Sequence, residues 1–96
     1  MNQYEVLYII NAGLDEEATK ALIEKFSGVV TENGGVVDSI DEWGKRRLAY
    51  LIDDMSEGFY VLMKFQAKGE VPTELERNFK ITDGVMRYLI TRQDDN

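Results

Sequence analysis

A chain of 96 residues with a formal net charge of −7 has room for one domain with a two-layer core. It carries no cysteine and no histidine, which excludes disulfides, thiolate metal sites, cysteine nucleophiles and the commonest general base, and so argues against an enzyme and against a metal or cofactor. No apolar run approaches the ~20 residues that cross a bilayer, and no basic segment precedes a hydrophobic stretch at the start, so no membrane contact and a cytoplasmic address are expected.

From Tyr4 to Ile10 the residues alternate, with Tyr4, Val6, Tyr8 and Ile10 on one face and Glu5, Leu7 and Ile9 on the other. This is the pattern of a central strand. Asn11-Ala12-Gly13 turns the chain, and Asp15 is placed to cap a helix whose first turn holds Glu16 and Glu17, acids that suit the positive helix end. Leu14, Ala18, Ala21, Leu22, Phe26, Val29 and Val30 recur at spacings of three and four and predict its buried stripe, while Asn33-Gly34-Gly35 stops it.

Strand character resumes at Val36 and runs to Ile52, too long for one flat strand, so Gly44 is expected to mark a bulge. Asp53 to Gly58 reads as a solvated hairpin turn. Its acids lack the ligand spacing and central glycine of a calcium loop. Phe59 to Gln66 is the next strand, with Phe59, Val61, Met63 and Phe65 inward and Tyr60, Leu62 and Lys64 outward. Pro72 opens a short helix lined by Val71, Leu75 and Phe79, and Asp83-Gly84 turns into a last strand, Val85 to Thr91, with Met86, Tyr88 and Ile90 inward and Arg87 and Leu89 outward. Residues 1–92 are read as one domain and 93–96 as a short polar tail.

The order strand, helix, strand, strand, helix, strand, joined by right-handed crossovers, predicts an α+β fold of the ferredoxin-like, split βαβ kind: a four-stranded antiparallel sheet with two helices on one face. The other face is left bare. It should gather Leu7, Ile9, Tyr60, Leu62 and Leu89, with Glu5, Lys64 and Arg87 around them, into a patch large enough to want a partner.

Lys45, Arg46 and Arg47 oppose the sign of the whole chain. They serve either as a solvated strand end paired with Asp38, Asp41 and Glu42, or as a phosphate contact beside exposed aromatics. An RNA-recognition-motif sheet is a poor fit, because Gly58-Phe59-Tyr60 lacks the basic-Gly-aromatic opening of that signature. An acylphosphatase-type site is also a poor fit, because the loop after the first strand, Asn11 to Glu17, is acidic. A regulatory or small-molecule-sensing domain that forms homodimers is the alternative of another class.

Met1-Asn2-Gln3-Tyr4-Glu5 and Gly44-Lys45-Arg46-Arg47-Leu48-Ala49-Tyr50-Leu51-Ile52 resemble the ribosomal protein six family of the bacterial small subunit, and the similarity spans essentially the whole chain. The resemblance implies a non-enzymatic protein that binds 16S ribosomal RNA together with ribosomal protein eighteen during central-domain assembly, and that is monomeric when isolated. It implies RNA-binding roles for Lys45, Arg46, Arg47, Arg87 and Arg92, and packing roles for Leu48, Tyr50 and Ile52. The bare-face residues Leu7, Ile9, Tyr60, Leu62 and Leu89 are the expected partner surface. Asn2 and Gln3 stand where some relatives have arginines, Leu51 where many have proline, and the tail is shorter than in some, so docking through it should be modest.

Overall fold

The computed structural model describes residues 1–52 and 55–93. Its elements are β1 (Asn2–Asn11), α1 (Glu16–Glu32), β2 (Val36–Ile52), β3 (Met55–Ala67), α2 (Val71–Ile81) and β4 (Val85–Gln93). The strands form one antiparallel sheet in the order β2-β3-β1-β4, so the expected ferredoxin-like arrangement is the one observed.

Alternation in β1 is carried through exactly as the pattern requires. Tyr4, Val6, Tyr8 and Ile10 are buried, and Val61, Met63 and Phe65 of β3 join them. Onto this layer α1 sets Ile23, Phe26, Val29 and Val30, and α2 sets Val71, Leu75 and Phe79. The rings of Tyr8, Phe26 and Phe79 meet at its centre, with centroids 4.5 to 5.3 Å apart. Burying a side chain of this size stabilises the fold by roughly 1.5–3 kcal/mol. Because a domain's net stability is only about 5–15 kcal/mol, this cluster is what the sheet and helices cannot fold without.

The Asp15 carboxylate accepts from the Ala18 backbone N–H at 2.8 Å, the cap that the sequence predicts. The buried stripe of α1 differs from the expected one. Ala21 is exposed, Leu14 and Leu22 are half-buried, and Thr19 and Ile23 are buried instead. Thr19 can enter the stripe because its hydroxyl donates back to the Asp15 carbonyl at 2.9 Å, which removes the cost of burying it.

Pairing between β2 and β3 extends further than expected. Ile52 pairs with Met55, so Met55 to Gly58 belong to the strand. Asp53 and Asp54 lie outside the described residues, as does the tail from Asp94 to Asn96. In β4 a register shift beside Ile9 and Ile10 puts Val85, with Tyr88 and Ile90, against the core. Met86 does not reach it, which corrects its expected inward facing. The strand continues two residues further than predicted, to Gln93, which pairs with Gln3.

Candidate functional site: the open sheet face and the β2–β3 arm

The sheet face opposite the helices is bare, and pairing register makes its apolar residues contiguous. Leu7 lies between Leu62 on β3 and Leu89 on β4, and Ile9 lies between Tyr60 and Arg87. Leu89 is 64% exposed. The five residues expected to form a partner surface therefore do form one strip across three strands. Glu5 sits at one end of it, flanked by Lys64 and Thr91.

Strand β2 adds a fourth border that the sequence left open. Glu42 pairs with Val61 and Gly44 with Tyr60, so Trp43 is the extra residue of a bulge, and Gly44 takes the positive φ of 82° that the bulge requires. Trp43 follows Asp41, opposite Leu62, onto the bare face, and the bulge brings Gly44 to that face as well. Its ring stacks beside Tyr60 with centroids 6.2 Å apart and planes within 10°, and its indole N–H donates to the Asp41 carboxylate at 3.2 Å. Alternation counted from Val37 misplaces it, because an earlier register shift between Val37 and Ser39 moves the count by one.

Beyond Gly58, where β1 ends at Asn11, β2 and β3 continue as a two-stranded arm. Gly58 is buried, and a side chain there would collide with Ile9, its Cβ falling 2.3 Å from Cγ2. The missing side chain lets Leu48 fold down beside Ile9 on the bare face, where it is 8% exposed. Further out, the Tyr50 ring lies 5.4 Å under the Arg87 guanidinium of β4. Of the residues with an implied packing role, Leu48 is buried and Ile52 half-buried, whereas Tyr50 is 61% exposed.

The basic cluster is divided by this geometry. Arg46 pairs with Gly58 and faces the open side, with its guanidinium 5.5 Å over the Trp43 ring. Lys45 pairs with Phe59, whose side chain packs on the core, so Lys45 points to the helix side, and alternation sends Arg47 the same way. Lys45 lines a groove there with Glu16, Thr19, Lys20 and Glu42. Arg87 shares the open face, while Arg92, opposite Tyr4, faces the helix side and donates to the Asn2 side chain at 2.9 Å. The five predicted cations thus belong to two faces rather than to one corner, and Arg92 lies at the end of the sheet away from the arm.

Among the described residues, no ion pair joins Lys45, Arg46 or Arg47 to an acid. The ion pairs seen are Lys20–Glu16, Arg77–Glu74 and Lys80–Glu76, all on the helices. Asp41 accepts instead from Trp43, and Asp38 from Gln66. Asp38, Asp41 and Glu42 thus make no ion pair with the cluster, although Glu42 and Glu16 share the groove that Lys45 lines. Among the described residues there is also no group of three or more acids placed to hold a metal ion, and no helix is long and apolar enough to cross a membrane.

Residues 3–92 match the family model described as ribosomal protein S6. The chain belongs to the ribosomal protein S6 family. It is 56% identical over 94 residues to small ribosomal subunit protein bS6 of Clostridium novyi, an alignment covering 98% of this chain and 99% of that one. It is likewise 56% identical over 95 residues to bS6 of Thermoanaerobacter pseudethanolicus, covering 99% and 100%. The crystal structure of 30S ribosomal protein S6 from Thermotoga maritima superposes with a TM-score of 0.92 at 29% identity, over 96% of this chain and 87% of that one.

Membership settles the coarse function. Proteins of the S6 family are structural components of the small ribosomal subunit and not enzymes. Bacterial ribosomal proteins reside in the cytoplasmic ribosome, and RNA binding and translation are typical of this family.

Proposed function

We propose that this member of the S6 family binds 16S ribosomal RNA together with ribosomal protein eighteen, as part of assembly of the central domain of the small subunit. The open sheet face takes the protein, and the cations along the arm and β4 take RNA phosphates. The observation that carries this reading is the uncovered row Leu7, Leu62 and Leu89 with Ile9 and Tyr60 beside it, bordered by Arg46 and Arg87. An apolar centre with an arginine rim is the composition of a protein interface, and Arg46 and Arg87, which have no carboxylate partner among the described residues, can meet phosphate in bidentate fashion.

Charge explains why two proteins are needed. A chain of net charge −7 is repelled by RNA over most of its surface, since affinity for a phosphate backbone comes mainly from its neutralisation. A basic partner seated on the open face offsets that repulsion, and complementary potentials speed the encounter and set its orientation. Lys45 and Arg47 on the helix side of the arm and Arg46 and Arg87 on the open side then reach RNA along the arm, and Arg92 reaches it at the other end of β4.

Titrating a labelled 16S central-domain fragment with each protein singly and then with both tests the proposal. Weak binding by this chain alone and tight binding by the pair is the expected result. Replacing Lys45 and Arg47 together by alanine should lower the slope of log affinity against log salt by roughly 0.7–0.9 per cation. Equally tight binding by the lone chain, or a stable homodimer through the same face, would refute it.

A further inference from the structure

Between Trp43 and the apolar row lies a shallow hollow of about 170 Å³, lined by Glu5, Leu7, Trp43, Leu62, Leu89 and Thr91. Its floor is aliphatic and one wall is a flat indole. A carboxylate stands at one end, and the Asp41 carboxylate holds the indole N–H. Two acids make this a poor seat for a phosphate.

The stack on Trp43, whose other members Arg46 and Tyr60 do not line the hollow, is a different seat. Arg46, Trp43 and Tyr60 form a ladder of planar groups on the bare face, and such ladders of arginine and aromatic rings are how proteins hold unpaired bases. Trp43 remains 38% exposed, although it is the largest side chain on the face.

We propose that Trp43 is the stacking platform for one unpaired base of the bound RNA, with Asp41 accepting from the base's amino group and Arg46 meeting the adjacent phosphate. The inference rests on the RNA-binding reading above: the row Leu7, Leu62 and Leu89 is left to the protein partner, and the Arg46 side of the Trp43 ring, on the β2 border of that row, is left to RNA. The base takes the ring face that Arg46 now covers. An exposed cation–π contact is the weaker of the two interactions, so the exchange favours the base. The guanidinium that is released has a phosphate within reach of its own side chain. Because an ionised carboxylate only accepts hydrogen bonds, the site favours bases that carry an exocyclic amino group, cytosine, adenine and guanine, over uracil, whose single N3–H donor lies between two carbonyl oxygens that the carboxylate repels.

Trp43 is the chain's only tryptophan, so its indole N–H gives a single nitrogen–proton cross-peak. The full chain is titrated with cytidine and uridine RNA hexamers. The cytidine hexamer should shift that cross-peak in the direction of ring-current shielding, and the uridine hexamer should shift it less. Trp43→Leu should weaken cytidine-hexamer binding roughly 5- to 150-fold, and Trp43→Phe should restore most of it. A stationary indole signal while the amides of Lys45 to Arg47 move would overturn the stacking contact and leave the RNA-binding reading standing. An indole signal that moves only when ribosomal protein eighteen is added assigns Trp43 to the protein interface and also overturns it. If the amides stay still and the two proteins together do not bind the 16S fragment, both readings fail.

Discussion

The Arg87 guanidinium lies 5.4 Å from the centre of the Tyr50 ring, so the last strand and the β2–β3 arm touch across the open face although they occupy opposite edges of the sheet. With Leu48, which is buried beside Ile9, this contact ties the arm to the rest of the open face. An exposed pair of this kind contributes about 0.5–1 kcal/mol. A double-mutant cycle with Tyr50→Ala and Arg87→Ala, read by denaturant unfolding, should return a coupling energy of that size. A value of zero would mean that the arm stands independently of β4.

Gly58 is the arm's hinge point in a steric sense, since a methyl group there meets Ile9 at 2.3 Å and Leu48 at 3.4 Å. Gly58→Ala should therefore destabilise the protein by about 1–3 kcal/mol, the usual cost of overpacking. Ile9→Ala in the same chain should recover part of it by vacating the space. If Gly58→Ala unfolds at the wild-type denaturant concentration, Leu48 and Ile9 are not packed against that position.

The Tyr8 hydroxyl is buried without a hydrogen-bond partner among the described residues. Burial pushes its pKa well above the ordinary tyrosine range, and the Glu42 carboxylate adds to the effect. Below about pH 10 the hydroxyl is protonated in both folded and unfolded chains and gives no pH dependence. Above that, the unfolded chain releases the proton while the folded chain keeps it. Stability then falls as pH rises toward the folded pKa, by roughly 1.4 kcal/mol per unit for this one group. Tyr8→Phe should remove that part of the alkaline loss. At neutral pH it should be neutral or stabilising, because an unpaired buried hydroxyl costs about 1–3 kcal/mol. Thermal unfolding of both proteins between pH 7 and 11 checks the sign, and parallel curves would contradict it.

The elements and their order were legible because each is written in a period that burial enforces. Tyr4 to Ile10 alternates and is central in the sheet, and Val71, Leu75 and Phe79 mark the buried side of α2. The apolar strip was legible for the same reason, since it is the other half of the alternation in β1, β3 and β4. What could not be read is what the register shifts in β2 do to facing. Three adjacent cations look like one patch in sequence, but a strand sends neighbours to opposite faces, so Arg46 parts from Lys45 and Arg47. The tryptophan was likewise unplaceable. Its position depends on where those shifts fall, and pairing with β3 decides that. Thr19 was overlooked because a hydroxyl was not counted among stripe formers, although a helix can satisfy it internally.

The central claim is that the bare sheet face is the seat of a basic protein partner, and calorimetric titration with purified ribosomal protein eighteen tests it most directly. Leu89 is 64% exposed and Leu62 half-buried, so Leu62→Lys with Leu89→Glu should leave the fold in place. The account predicts one-to-one binding by the wild-type chain with a negative heat-capacity change, the mark of apolar burial, and loss of most of the affinity in the double variant. Undiminished affinity in a folded double variant would contradict it.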